Sequence, residues 1–223
     1  MITEFAAFSY QNIAKPILFL IDPEKVHDSI THLGERLGNS KKALSLFYRA
    51  FNFEHPSLEQ TIWDINFKNP VGLAAGFDKD IKLTDIVSSA GFGFEEVGSV
   101  TAKPYKGNPR PRLWRLPKTK SLAVWYGLKN KGVKILSGEL SQKIHRLPIG
   151  VSIAFTNCKE NLNVSSAISD YATSVKIMEK YADYLSINLS CPNTESGIPF
   201  VIPENYDNLM TEIDKISTKK PIF

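Results

Sequence analysis

The sequence predicts an α/β fold built from parallel βαβ units, behind an N-terminal helical region. We count four strands, near residues 70–77, 94–100, 148–155 and 183–190, and the segments at 70–77 and 183–190 are apolar without a helical period, as buried strands are. Amphipathic segments with a helical period separate these strands. Because strands and helices that alternate along a chain form parallel βαβ units, we expect a helical region over residues 1–55 and an α/β region over residues 56–223.

The N-terminal region carries clear helix signals. Asp22 is a suitable N-cap, Pro23 takes the first helical position, and Glu24 stands in the first turn. Gly38 is placed to end this helix, and Ser40 can cap the next one. The apolar helix faces have two interpretations. They either pack on the α/β region, which periodicity alone favours, or form a hydrophobic mouth that rests on a bilayer.

The α/β region continues with elements of ordinary length. Residues 58–68 alternate partly between apolar and polar side chains, which predicts a short hairpin. Amphipathic periodicity predicts helices over 81–90 and 133–146, within 165–184, and over 206–217. Residues 219–223 are typical of a further strand that is just beginning.

Composition limits the classes of function. The chain has 223 residues and a net charge of +4 with scattered Lys and Arg, which argues against a nucleic-acid surface. No apolar run approaches the ~20 residues that a membrane span requires. Cys158 and Cys191 are the only cysteines, and there is no secretory signal, so we expect a reducing compartment without disulfides. No metal site is predicted.

The most informative stretch is residues 183–194, where a strand ends in short polar side chains around a thiol. Pro192 stops the strand ladder beside Cys191. Asn188 and Asn193 carry amides that donate and accept hydrogen bonds, which suits a flat heterocycle with carbonyl and N–H edges. A thiol held between them can take a proton from carbon. The alternative is a buried structural cysteine beside a turn.

Residues 69–80 form a second segment of the same kind. Small residues, including Ala75 and Gly76, leave room for a large ligand against the backbone, and Lys79 follows just past the strand end. Parallel α/β folds place their ligands at such strand ends. Alternatively, the small residues only reflect tight packing inside a barrel.

Together these segments resemble dihydroorotate dehydrogenases, flavin (FMN) enzymes built on a TIM barrel. Residues 91–101 resemble the family's second barrel strand, and residues 103–117 resemble a loop of its membrane-associated, quinone-using class. Since a complete barrel needs about 250 residues, the resemblance implies a partial TIM (β/α) barrel of about four to five strands. Residues 1–55 would then be the extension that serves membrane and quinone.

The resemblance also implies roles for individual residues. Cys191 is the expected base, and Thr194 would pass its proton onward. Asn188 and Asn193 would bind dihydroorotate or orotate together with Lys79, and Arg115 would point to the quinone. The expected FMN contacts are Ala75, Gly76, Lys79, Ser99, Ser152 and Asn188. Arg115 has an alternative interpretation as a surface arginine.

Several positions depart from the family pattern. Cys191 stands where the quinone-using class normally has serine, and cysteine is typical of the soluble classes. Val124 replaces a substrate-binding asparagine, and losing one buried hydrogen bond costs on the order of 1–3 kcal/mol. Leu128 replaces a usual phenylalanine near the quinone path. Ser152 replaces a flavin-contacting asparagine and has a shorter reach.

We therefore predict a quinone-linked dihydroorotate dehydrogenase of pyrimidine (UMP) biosynthesis, bound peripherally at the cytoplasmic face of the membrane or located in the cytoplasm. The main alternative is a truncated or non-catalytic relative that needs a partner or a missing C-terminal half. In either case, the open strand edges of a partial barrel would favour self-association. A third alternative is another FMN barrel that acts on a different flat substrate.

Overall fold

The computed structural model describes residues 2–144 and 146–223, and it begins with helices. These are α1 (Ile2–Ser9), a π-helical turn over Tyr10–Ala14, α2 (Lys15–Phe19), α3 (Pro23–Gly38) and α4 (Lys41–Phe51). Asp22 accepts a hydrogen bond from the backbone N of Lys25 at 3.0 Å, and the Ser40 hydroxyl accepts one from Ala43 at 3.4 Å. Both predicted caps are therefore confirmed.

The α/β region starts with the predicted hairpin. Strand β1 (Gln60–Ile62) pairs with β2 (Ile65–Phe67) in antiparallel fashion. The elements that follow are β3 (Gly72–Leu73), α5 (Thr84–Ser89), β4 (Phe94–Val100), β5 (Leu113–Leu116), β6 (Ser121–Val124), α6 (Val133–Ser141), β7 (Ile149–Ile153), α7 (Val164–Met178), β8 (Tyr184–Ile187) and α8 (Pro203–Asp214).

The centre of the molecule is a parallel four-stranded sheet in the order β3–β4–β7–β8. Every residue of β7 is buried, because strands cover both of its edges and helices pack against the sheet. Ile222 forms a parallel bridge with Leu185, so the predicted beginning of a further strand is confirmed. This arrangement is the predicted partial (β/α) barrel.

Several elements differ from the sequence-based expectation. Helix α8 begins at Pro203 and ends at Asp214 rather than spanning 206–217, and the β5–β6 hairpin was not predicted. The ladder of β3 covers two residues rather than 70–77, because Gly76 turns the chain with a φ of +95°. Helix α5 begins at Thr84 rather than 81, since the carboxylate of Asp78 accepts the backbone N–H groups of Lys82 and Leu83 and holds them in a turn. Helix α6 ends at Ser141, and position 145 of the predicted helix lies outside the described residues.

A buried charge cluster joins the helical region to the barrel. Glu24 of α3 accepts hydrogen bonds from Arg112 Nη2 at 2.6 Å and from Arg110 Nη2 at 2.9 Å. The side chains of Glu24 and Arg112 are each 5% exposed. Burial alone would raise the pKa of Glu24, but the two guanidinium groups outweigh it and lower that pKa to about 2. The first turn of α3 is therefore anchored to the loop before β5.

The first two helices leave apolar side chains in contact with solvent. Phe5, Phe8, Ile13, Ile17 and Leu20 are between 57% and 88% exposed. Throughout residues 2–144 and 146–223, no helix combines the length and apolar character needed to cross a bilayer. Helix α2 contacts α3, the helix that Glu24 anchors to the barrel.

Candidate active site

One large cavity, of about 950 Å³, lies between the N-terminal helices and the carboxyl ends of the sheet strands. Its volume falls within the range of about 300–1,000 Å³ that is usual for small-molecule sites. Eight of the ten predicted site residues line it, namely Ala75, Gly76, Lys79, Ser99, Arg115, Asn188, Cys191 and Asn193. Ser152 and Thr194 do not line it.

Asn188 is held in place at the end of β8. Its amide nitrogen donates to the hydroxyl of Ser99 at 2.9 Å, and its backbone oxygen accepts the hydroxyl of Tyr171 at 2.7 Å. Ser152 is 2% exposed and bonds the Ser99 hydroxyl at 2.8 Å. Ser152 therefore supports Ser99 from behind, and the second amide hydrogen of Asn188 can point to a ligand.

Cys191 follows three residues after Asn188 and brings its thiol to the cavity wall. Burial raises the pKa of this thiol above its ordinary value, and a hydrogen bond from the backbone of Asn193 only partly opposes that change. The resting group is therefore a neutral thiol. It can accept a proton only after it has lost its own.

Asn193 and Thr194 are positioned by local hydrogen bonds. The amide nitrogen of Asn193 donates to the backbone oxygen of Val124 at 3.1 Å, and its backbone oxygen accepts from Asn108 at 3.0 Å. The hydroxyl of Thr194 is buried and donates to the backbone oxygen of Gly197 at 2.7 Å. Thr194 thus faces its own loop in this conformation, while the side chain of Asn193 reaches the cavity.

Lys79 lies against the loop that ends β3. Its ammonium group donates to the backbone oxygen of Gly76 and stands 4.6 Å from the ring centroid of Tyr126. Burial and, to a smaller extent, the nearby Lys129 lower the pKa of Lys79 to about 8, against the opposing effect of three aspartates. Lys79 is therefore a cation that can lose its proton near neutral pH.

The backbone beside Lys79 leaves space for a flat ligand. Gly76 has a φ of +95°, which favours glycine, and no atom of the described residues lies within 4 Å of a Cβ built at this position. Ala75, next to it, adds only a methyl group to the wall. A planar ring system can therefore approach this backbone closely.

The opposite end of the cavity is apolar and is formed by the N-terminal helices and the β5–β6 hairpin. Arg115 donates to the backbone oxygen of Ile21 at 2.8 Å, and its guanidinium carbon lies 4.7 Å from the ring centroid of Phe19. The apolar residues at this end include Leu18, Phe19, Val26, Ile30, Leu116 and Leu122. Arg115 is therefore a cation at an apolar mouth, and not an isolated surface arginine.

His27 also lines the cavity, although the sequence analysis did not single it out. Its Nε2 lies 2.9 Å from the backbone oxygen of Phe77, and its ring packs edge-on against the Phe77 ring at 5.3 Å. The sequence feature that could have identified His27 as a cavity residue is its position in α3. A histidine beside Val26 and three residues before Ile30 lies close to the apolar stripe that the resemblance assigns to the quinone mouth.

The family model for dihydroorotate dehydrogenase matches residues 57–223. The chain belongs to the dihydroorotate dehydrogenase family. Members of this family are flavin-dependent. Two similar curated proteins are the dihydroorotate dehydrogenases (quinone) of Acidithiobacillus ferrooxidans, 36% identical over 82% of this chain, and of Methylococcus capsulatus, 34% identical over 94%. The chain spans 50% and 61% of their lengths, respectively.

Solved structures agree with this membership. The dihydroorotate dehydrogenase of Eimeria tenella in complex with ferulenol superposes with a TM-score of 0.73 at 31% identity, over 87% of this chain and 50% of that one. The ligand-free form of the same enzyme gives the same TM-score at 30% identity, over 87% of this chain and 53% of that one. The match spans most of this chain at a level that supports a shared fold and a shared family.

The departures from the dihydroorotate dehydrogenase pattern can now be located. Val124 presents an apolar side chain to the cavity, and its backbone oxygen holds Asn193. Leu128 lines the same cavity with a φ of +67°. The valine therefore removes the polar contacts of an asparagine side chain but keeps the main-chain anchor for Asn193.

Proposed function

We propose that the protein is a quinone-linked dihydroorotate dehydrogenase, which oxidises dihydroorotate to orotate with FMN in de novo pyrimidine (UMP) biosynthesis. One observation carries the proposal. A single cavity joins a thiol and two carboxamides at the strand ends to an apolar mouth that contains Arg115. Those two ends suit a pyrimidine and a lipid-soluble quinone respectively.

The residues present fit a flavin. Ala75 and Gly76 would let the ring system approach the backbone, where a Cβ at Gly76 meets open space. Lys79 would place a positive charge beside the ring, and Ser99 with Asn188 would supply hydrogen-bonding groups. Ser152 would act by fixing Ser99. When bound, FMN would supply the acceptor for the hydride from C6 of the substrate.

The remaining chemistry falls to side chains of this chain. Asn188 and Asn193 would hold the pyrimidine edges, and Lys79 would pair with the substrate carboxylate. Cys191, as the thiolate, would take the proton from C5 and become a thiol while the hydride leaves C6. The role of Thr194 as a proton acceptor for Cys191 requires its hydroxyl to turn away from Gly197, to which it donates in this conformation.

The reducing equivalents would leave through the helical end of the cavity. Arg115 would bind a quinone carbonyl, since a guanidinium group donates strong hydrogen bonds to oxygen. The exposed apolar residues of α1 and α2 would rest on the cytoplasmic face of the membrane as a peripheral contact. A quinone could then enter from the lipid without crossing water.

The test uses flavin reduction under anaerobic conditions. We expect the purified protein to bind FMN, giving a visible absorption band that dihydroorotate bleaches. Cys191→Ala should retain the band and lose the bleaching. Cys158→Ala is the matched control, because Cys158 does not line the cavity, and it should behave like wild type. Bleaching of Cys191→Ala at the wild-type rate would contradict the role of Cys191, and no FMN band in wild type would contradict the function.

The membrane contact is tested separately with anionic liposomes. Deletion of residues 1–20 removes the exposed apolar surface and leaves the Glu24 anchor of α3 in place. We expect this deletion to release the protein from the liposomes in a flotation assay. Leu46→Ser is a suitable control, since Leu46 is 67% exposed on α4, outside the deleted segment. Undiminished binding of the deletion variant would contradict the proposed surface.

A further inference from the structure

A second, smaller cavity lies beside the first, between α3 and the loop over residues 77–82. Its volume is about 140 Å³. Five residues line both cavities and form the partition between them, namely His27, Phe77, Lys79, Tyr126 and Lys129. The ammonium-bearing side chain of Lys79 therefore borders the proposed flavin site on one side and this chamber on the other.

The chamber is lined by polar atoms that have no partner. His27 Nδ1, Asp80 Oδ1 and the Tyr126 hydroxyl are buried and make no hydrogen bond within residues 2–144 and 146–223. Leaving such a group unpaired costs about 1–3 kcal/mol, so buried polar atoms are nearly always bonded to protein or to water. Three such atoms around one cavity indicate a polar occupant. At roughly 30 Å³ per molecule, the space suits about four or five waters.

Asp28 connects the chamber to the surface. Its side chain is 39% exposed, and it also lines the chamber. Its oxygens lie 3.6 Å from His27 Nδ1, 3.9 Å from Arg110 Nη2 and 4.0 Å from Lys129 Nζ. All three distances are ion-pair separations rather than direct hydrogen bonds, so these contacts leave the Asp28 oxygens able to accept hydrogen bonds from water.

We infer that the chamber holds an ordered water cluster that conducts protons from the surface carboxylate of Asp28 to Lys79. When Lys79 gives a proton to a ligand in the large cavity, the neutral amine regains one from the nearest water, and the cluster is refilled from solvent through Asp28. No electrons move in this step. The inference rests on the proposed function, because each hydride equivalent that passes through the large cavity to a quinone must be accompanied by one proton to give a quinol.

The charges around Lys79 are compatible with this role. Lys129 faces it from the loop after β6, Asp28 from α3, and Asp78 and Asp80 from its own loop. Burial raises the pKa of Tyr126 to about 12, so its hydroxyl stays neutral and can relay a hydrogen bond. His27, His32 and Lys82 complete the titratable groups that line the chamber.

The first experiment is a high-resolution crystal structure of the protein. We expect ordered water within hydrogen-bond distance of His27 Nδ1, Asp80 Oδ1 and the Tyr126 hydroxyl. A dry chamber, or one in which these groups pair directly with each other, would overturn the inference. The measurement requires no flavin, so it separates failure of this inference from failure of the proposed function.

The second experiment measures hydrogen exchange of the Lys79 ammonium group by NMR on ¹⁵N-lysine-labelled protein. Tyr126→Phe removes the chamber hydroxyl and keeps the ring beside Lys79, and Asp80→Leu makes one wall apolar. We expect each to slow exchange by about tenfold, a factor that corresponds to the loss of one well-made hydrogen bond. Tyr48→Phe and Asp207→Asn, on the surface away from both cavities, are the matched controls.

Two variants are used so that the test still has a result if one of them does not fold. A variant that loses the native circular dichroism spectrum is set aside, and the other one decides. Exchange at the wild-type rate in a folded Tyr126→Phe or Asp80→Leu protein would show that Lys79 obtains protons directly from the large cavity. That result would overturn the proposed path even if flavin reduction by dihydroorotate is observed.

Discussion

Replacing Glu24 by Gln should loosen the helical region from the barrel. Glu24 accepts hydrogen bonds from Arg112 and Arg110, and its side chain is 5% exposed. The substitution keeps the shape of the side chain and removes its charge. It therefore leaves the buried guanidinium group of Arg112 without a counter-charge, a loss that typically costs about 3–5 kcal/mol.

The pKa of Glu24 gives an independent value for the free energy that this charge cluster contributes to folding. Its decrease from 4.5 to about 2 corresponds to about 3 kcal/mol, at about 1.4 kcal/mol for each pH unit. Arg110 is 62% exposed, so solvent screens its share, and we take this figure as an upper value. Because the folded-state pKa is lowered, the contribution is present above pH 4.5 and is lost as the pH falls towards 2.

The assay is urea denaturation of wild type and Glu24→Gln at several pH values, with hydrogen exchange of the α3 amides as a local measure. We expect a difference of up to about 3 kcal/mol in unfolding free energy at pH 7 that shrinks steadily between pH 4.5 and 2. Glu59→Gln, on the exposed surface, should show no such difference. A pH-independent loss, or a loss confined to α3 amides without a pH trend, would refute the electrostatic explanation.

Three further predictions concern single side chains. Burial raises the pKa of the Cys191 thiol, so the rate of flavin reduction by dihydroorotate should still be rising at pH 9; a plateau below pH 8 would argue against Cys191 as the base. Glu95 is fully buried without a partner within the described residues, and its raised pKa means that wild type loses stability as the pH rises above 4.5. Glu95→Gln should therefore gain about 1–3 kcal/mol at pH 7 in urea denaturation and nothing at pH 4. Arg115→Met should raise the KM for a soluble quinone by about tenfold or more while flavin reduction by dihydroorotate stays unchanged; equal loss of both steps would indicate a structural role.

Local signals account for the parts of the fold that the sequence predicted well. The cap at Asp22 and the start of α3 follow from three adjacent residues, and the structure has them where the sequence indicates. The strand over Phe94–Val100 also lies where it was predicted, in the segment that resembles the family's second barrel strand. The hairpin of β5 and β6 was missed. Its exposed residues, such as Leu122 and Val124, follow no clean alternation beside a proline-rich loop.

Interactions across the chain account for what was missed. Glu24 and Arg112 are 88 residues apart, and nothing in either local sequence indicates that they meet. Glu95 looks like an ordinary residue of a strand whose neighbours alternate, and only the packed helices make it buried. Seven of the eight predicted cavity residues come together because strand ends of a parallel sheet meet at one edge, which the order of elements does predict. The eighth, Arg115, reaches the cavity from the β5–β6 hairpin. The sequence could not show that Ser152 and Thr194 lie outside the cavity lining. Their hydroxyl groups bond Ser99 and the backbone oxygen of Gly197, and these contacts depend on the three-dimensional arrangement.

The walls of the large cavity come from opposite ends of the sequence, residues 10–30 on one side and residues 188–193 on the other. A molecule that fills it contacts both walls. Its binding therefore stabilises the folded arrangement of the N-terminal segment against local unfolding. At a concentration one hundred times its Kd, such a molecule would add about 2.7 kcal/mol to the free energy needed to separate the two walls by unfolding. Occupancy would therefore shield the peptide bond after Phe19, which lines the large cavity, from chymotrypsin. Limited digestion would then show whether an inhibitor reaches this cavity in a crude extract.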